Sequence, residues 1–409
     1  MKKTAAALWA AGILWLLACA GPLTAQDEFE YHGYIRMGAA LNEDMVDATS
    51  GINVNLVGRL GNEHDAWVES ELVNKFTAED GSWTKEHADL LAQGKNATLM
   101  FSDGNYDMSL DLAQAYVEIG GLPFDPKAVF HIGTKYDFED IHILDFKWRN
   151  LTGTGIGVDG AMDGALSLNL LTGSDITAAS IPFTLDARYD ILPVLQVEVS
   201  GACAKDPSLV TSTATSASNG AQAAVVYYLH SFYGLPIGWM TLAAQAGYGM
   251  FGGAPNAVAS KGWSALGGLG NLWLEQNSTA FRLVTSGSGD YGQLGAAAGL
   301  WAECDKDDLA SNPRLVVAGV LRPAWKIDKH FSLVGEGGLS YQSCGASATG
   351  LSYKLTLAPT LALDSGVGSR PQLRVFGTYE AQDPKLGYIS ANGLEDHELK
   401  FGIQTEYWW

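Results

Sequence analysis

The chain ends in HELKFGIQTEYWW (residues 397–409), and alternate residues of this stretch separate into two chemistries. Leu399, Phe401, Ile403, Thr405, Tyr407 and Trp409 fall on one side; Glu398, Lys400, Gly402, Gln404, Glu406 and Trp408 fall on the other. Successive side chains of a β-strand point to opposite faces, so the segment predicts a strand with one apolar and one charged face. A soluble core would reject the charged face, whereas a watery lumen accepts it. Apolar outside and polar inside is the pattern of a membrane barrel.

The same alternation recurs near the start, where Phe29, Tyr31, Ile35 and Met37 interleave with Glu30, His32, Tyr34 and Arg36. It returns in Leu373, Val375 and Tyr379 against Gln372, Arg374, Thr378 and Glu380, and in Met240, Leu242, Ala244 and Ala246 against Trp239, Thr241 and Gln245. Matching strands at both ends can close a ring. Closure matters because an unpaired backbone group in hydrocarbon costs several kcal/mol, and a closed ring leaves no strand edge unpaired. Tight connections at Ile191-Leu192-Pro193, Gly234-Leu235-Pro236 and Ile327-Asp328-Lys329 alternate with longer polar loops such as Asp206 to Ser218 and Cys304 to Pro313. Short turns on one rim and long loops on the other are expected of an outer-membrane barrel. At about ten residues per strand plus connections, the length predicts an all-β antiparallel barrel of roughly 16 to 18 strands, wide enough for an aqueous channel.

At the other end, MKKTAAALWAAGILWLLACAGPLTA (1–25) sets two lysines before an apolar run and then small residues, the order of a secretory signal peptide cut after Ala25. An uncleaved anchor and a lipidated Cys19 are the alternatives. Cleavage leaves 384 of 409 residues as one barrel domain, 26–409, and the loss of Lys2 and Lys3 takes the net charge from -20 to -22. So acidic a chain is a poor partner for nucleic acid. Cys304 and Cys344 are candidates for a loop disulfide that leaves Cys203 unpaired, and no cysteine pair has metal-knuckle or redox spacing.

Five segments, in order, resemble the maltoporin family of sugar-specific porins: YHGYIRMG (31–38), RLGNE (59–63), DIHILDF with GTGIG (140–146, 153–157), SRPQLRVFGTYE (369–380) and FGIQTEYWW (401–409). The resemblance implies a homotrimer of about eighteen-stranded barrels in the bacterial outer membrane. It also implies a ladder of lumen aromatics beside a polar track. A pyranose has apolar C–H faces that stack on rings and hydroxyls that need polar partners; many weak sites in series allow passage without trapping.

Carried over by position, the aromatic slide comprises Tyr34, Trp67, Trp239 and Trp408, and the polar track Arg36, Arg59, Glu69, Asp140 and Asp145. The plainer readings are an outer aromatic girdle and ordinary lumen charges. Alternation independently sets Tyr34, Trp239 and Trp408 on the polar face, and Trp67 shares a face with Asp65, Glu69 and Glu71. Several positions depart from the family. Lys147 stands where it narrows the pore with a tyrosine, and either pairs with Asp145 or favours an anionic substrate, the pairing being preferred. Ile327 replaces a slide aromatic, with Trp325 facing lipid. Ala113 replaces a track arginine and the segment 137–139 is one residue short at another. His64 stands at a cysteine of the family's first-loop disulfide, and Tyr106 is the candidate for the aromatic supplied by a neighbouring subunit.

Other signals carry less. Gly153-Thr-Gly-Ile-Gly157 has no helix pattern after it and reads as a Gly-rich turn rather than a nucleotide loop; Asp137, Glu139 and Asp140 read as a solvated acidic rim rather than a calcium site. No catalytic residue, metal or cofactor is expected. Passive diffusion of sugars such as maltodextrins is the leading expectation, with carbohydrate and membrane lipid as partners. A general cation-preferring porin and a surface adhesin are the rivals.

Overall fold

In the computed structural model, residues 27–409 are described apart from 46, 47, 49, 50, 96–107, 174–180, 206–215, 255–263, 307–312, 345–347, 391, 392 and 394. The signal segment and Tyr106 therefore lie outside the described residues. Eighteen antiparallel strands form one sheet in which each pairs with its neighbours in sequence. It is closed by β1 (Asp27–Asn42) on the last strand, β20 (His397–Trp408). That seam runs from Tyr34 opposite Trp408 to Asn42 opposite Lys400, and Trp409 extends it through reciprocal backbone hydrogen bonds with Gly33 at 3.2 Å. No edge is left to pair with a stranger. No described helix is long and apolar enough to cross a membrane; the barrel crosses with strands.

The period of two becomes two surfaces. On β20, Phe401 and Ile403 are exposed on the outside while Glu398, Lys400, Gln404 and Glu406 are buried inside. Trp409 lies on the outer face, 5.5 Å from the Tyr31 ring and 5.3 Å from that of Tyr407, an aromatic group at the rim of an apolar band. Turns at 193–194, 230–238 and 327–330 share a rim with the chain ends, and the long connections occupy the other rim.

Two long loops fold into the bore. The first, residues 43–64, carries a single helical turn, α1 (Val54–Val57), started by the Asn53 side chain accepting from the Asn55 backbone N–H. Leu56 and Val57 are buried against the inner wall at β16 (Arg314–Lys326), β17 (Phe331–Cys344) and β18 (Ala348–Ala362). The wall is shaped to receive them: a Cβ on Gly338 would sit 1.9 Å from the Val57 carbonyl oxygen. Buried Lys354 donates to the carbonyls of Gly58 and Leu60 at 2.6 and 2.8 Å and to Glu336 at 2.8 Å.

The other loop, 136–152, leaves β5 (Val129–Lys135) and forms a hairpin of β6 (Phe138–Ile141) and β7 (Phe146–Asn150) before entering β8 (Gly153–Gly160). The wall side of this hairpin joins one apolar cluster with Leu56, Val57, Val284, Trp301 and Val320. Phe146 stacks on Trp301 at 4.2 Å, and Gly299 leaves room for Ile141. Where the loops dock, the inner face carries apolar residues beside buried polar groups such as Lys354 and Glu336 that bond the loop.

Two expectations are corrected here. Cys304 is a free cysteine on the exposed outer face of β15 (Leu294–Lys306), within a strand rather than a loop, so the Cys304–Cys344 disulfide is not formed. Gly153–Gly157 is not a turn: its glycines lie in β8, where a Cβ on Gly155 would collide with the Leu170 carbonyl.

Candidate functional site

The first loop and the 136–152 loop, the third connection on that rim, meet the seam strands at one charged cluster. Its hub is Glu406 on β20. Tyr34 donates its hydroxyl to Glu406 at 3.0 Å; Arg59, Arg370 and Arg374 approach it at 3.4, 2.8 and 3.5 Å; His142 of the third loop lies at 3.2 Å. Beside it Glu63 binds Arg36 at 2.9 Å and Arg59 at 2.6 Å, and Arg36 also pairs with Asp65. Arg59 completes the link by donating to the Tyr34 hydroxyl at 2.9 Å. Charges this buried persist only when paired, and each of these is.

The rings stand on this frame. Trp408 faces inward and is 40% exposed, with Tyr34 stacked at 6.4 Å, His142 edge-on at 5.8 Å and the Arg370 guanidinium 4.2 Å from its centroid. Trp67 lies opposite Arg36 in the β1–β2 register, β2 being Asp65–Thr77. It donates its indole N–H to Glu69 at 2.8 Å and has the Arg36 guanidinium 5.7 Å from its ring. Tyr34, Arg36, Arg59, Trp67, Glu69 and Trp408 are therefore one neighbourhood. Trp239, first residue of β13 (Trp239–Gly249), is on the inward row by its register with Ser288, but no ring stacks on it among the described residues. Trp325 points outward and Ile327 sits exposed in a turn, so neither adds a ring to the bore.

The third loop brings Asp140, Asp145 and Lys147. Burial pushes the Asp140 carboxyl up against the pull of His142, and Asp145 adds to the rise. Glu139 is raised by burial too. Asp137 does not belong to an open acidic rim: two hydrogen bonds from Arg149 at 2.6 and 2.9 Å outweigh its burial and hold it below the usual carboxylate range. Among the described residues no group of three or more His, Cys, Asp or Glu is arranged to hold a metal ion.

The preferred pairing of Lys147 with Asp145 is not formed. Asp145 is left-handed, φ 49°, at the end of the hairpin turn, so the rule that residues two apart share a face of an extended strand does not apply to it. The Lys147 ammonium lies instead 4.2 Å from the Phe138 ring centroid and 6.0 Å from that of Tyr136.

Sequence reasoning missed Glu63, His142, Arg370 and the hub role of Glu406. Their partners lie up to 372 residues away along the chain, and alternation reports a face, not a neighbour. Ala113 turns out to be the unpaired residue of a β-bulge, between the pairs Asp89–Gln114 and Leu90–Leu112. His64 is half-buried at the end of the first loop, with both ring nitrogens enclosed and without a hydrogen-bond partner; burial, then the Lys400 and Lys354 charges, pushes it down to about 4.

Residues 29–409 match the LamB porin family. The chain is 27% identical to a maltoporin of Vibrio cholerae serotype O1, over 96% of its own length and 98% of that protein. It is also 27% identical to maltoporin 1 of Klebsiella pneumoniae, over 93% of each. Among solved structures it resembles Acinetobacter baumannii OccAB2 (TM-score 0.51, 8% identity, covering 95% of this chain and 99% of that one). A second is Pseudomonas aeruginosa OpdK, solved with vanillate (0.51, 9% identity, 93% and 98%); at such identities the likeness is one of fold. With an eighteen-stranded barrel and a family match across nearly all of it, the chain belongs to the LamB porin family, and it is an outer-membrane channel rather than an enzyme.

Proposed function

We propose that the channel passes sugars by facilitated, passive diffusion, with Tyr34, Trp67, Trp239 and Trp408 as stacking rungs. Arg36, Arg59, Glu69, Asp140 and Asp145 form the polar track, and Lys147 stands at the constriction. The observation that carries this reading is Trp408. It presents a large ring to the bore, stacked with Tyr34, within a ring of carboxylates and guanidiniums that can exchange hydrogen bonds with sugar hydroxyls. Arg36 and Arg59 act chiefly by holding Glu63, Asp65 and Glu406 in place, since their own donors are largely engaged. The names of the maltoporin relatives point to maltodextrin-like substrates, and the family resemblance to a homotrimer packed in lipid.

The test is planar-bilayer recording of the mature protein while maltodextrins and sucrose are titrated. Saturable block of the ion current is expected, weakened about three- to tenfold in Trp67→Ala and Trp408→Ala, the equivalent of roughly 0.5–1.5 kcal/mol per lost stack. Absence of block by any sugar would overturn the reading. The net charge of -20 favours a second reading, a general cation-preferring porin, which the same recordings would reveal as cation selectivity without block.

A further inference from the structure

The third-loop hairpin presents rings on both sides, and among the described residues only those of the wall side join a buried apolar cluster. Phe146 and Trp148 are buried in the wall cluster, while Phe138 is 39% exposed. The Lys147 ammonium covers one face of Phe138 at 4.2 Å, and among the described residues no carboxylate comes within ion-pair distance of it. Its charge nonetheless acts on Glu69 and Asp140. The neighbouring Tyr136 lies 6.1 Å from Phe138, centroid to centroid, and its phenol is pushed up by burial and then by Glu69 and Asp89 of the facing wall. Phe138 thus stands exposed beside a cation whose charge reaches Glu69 on the strand of Trp67 and Asp140 on its own hairpin.

We infer that Phe138 is a stacking platform for neutral pyranosides at the neck of the bore and that Lys147 is its displaceable cap. In the empty channel the ammonium shields an otherwise wetted ring. A lysine stem is flexible and an exposed cation–π contact is weak, so an entering sugar ring takes the face and Lys147 swings toward Asp140 and Glu69. This rests on the sugar-channel reading and adds to it the residue pair that sets affinity at the narrowest point.

The test is maltotriose block of single channels in the mature protein, with the β-sheet circular dichroism and thermal midpoint of the barrel as the control for folding. Lys147→Met keeps length and removes the charge; it is expected to tighten block two- to fivefold, the equivalent of about 0.5–1 kcal/mol for an exposed cation–π contact. Phe138→Leu should weaken block two- to tenfold, and adding Lys147→Met to it should produce no tightening. Block unchanged or weakened in Lys147→Met, or tightened equally with leucine at 138, overturns the cap. A wild-type channel that no sugar blocks removes the sugar-channel reading as well; failure of the cap alone leaves wild-type block intact.

Discussion

Replacing Gly338 by alanine should open the channel without unfolding the barrel. The added methyl carbon would stand 1.9 Å from the Val57 carbonyl oxygen, 2.5 Å from its carbon and 2.7 Å from its Cα, all backbone atoms. Non-bonded carbons settle at about 3.5 Å or more, so the loop must retreat by roughly 1.5 Å. That withdraws Leu56 and Val57, exposed 2% and 0%, whose burial contributes roughly 1.5–3 kcal/mol each. It also strains the Lys354 hydrogen bonds to Gly58 and Leu60, worth about 1.5–3 kcal/mol apiece for a charged donor. The first loop would lose several kcal/mol of docking energy. The strand loses nothing: its ladder is made by the backbone, and alanine reduces the freedom of the unfolded chain relative to glycine. Gly337→Ala is the matched control, because one residue away on the outer face the added atom meets only Leu355 Cδ2 at 3.6 Å. Bilayer recordings should show higher and noisier conductance in Gly338→Ala, with thermal unfolding of the barrel unchanged. Conductance equal to wild type and to Gly337→Ala would refute the claim that the first loop is seated in the bore.

Glu406→Gln removes the counter-charge shared by three arginines; with buried pairs broken at about 3–5 kcal/mol, the thermal midpoint should fall clearly. Glu28→Gln, which breaks an exposed pair with Lys75, should change stability by about 1 kcal/mol or less, and equal effects of the two would contradict the hub. Docking of the first loop should weaken on acidification. His64 takes up a proton below its ordinary 6.5 when the loop is out but only below about 4 when it is docked. The stabilisation is therefore complete above pH 6.5 and lost toward pH 4, by at most about 3 kcal/mol at 1.36 kcal/mol per pH unit. Hydrogen exchange of residues 52–63 should rise across that window in wild type and stay flat in His64→Phe. Because burial raises Asp140 and Glu139, their charge is lost before that of ordinary carboxylates as pH falls. Reversal-potential measurements should show cation preference declining ahead of the usual carboxylate range, and less steeply in Asp140→Asn.

Which way each strand residue points was legible in the sequence. A strand exposes its side chains alternately, so Phe401 and Ile403 could be separated from Glu398 and Lys400 with no partner in view, and the opposite facing of Trp408 and Trp409 follows from the same parity. Where the period stopped, the reading stopped. Val57 beneath Gly338, Ile141 against Gly299 and Phe146 on Trp301 are contacts between loop and wall that no local spacing encodes. Lys147 shows the limit at short range: two residues from Asp145, it is carried away from it by a left-handed turn and set over Phe138. The chain alone determined a closed barrel with a polar bore, because backbone pairing and face alternation are local rules. Only the tertiary structure decided how the bore is narrowed and which charges meet at Glu406, because those depend on loops folding back onto strands distant in sequence.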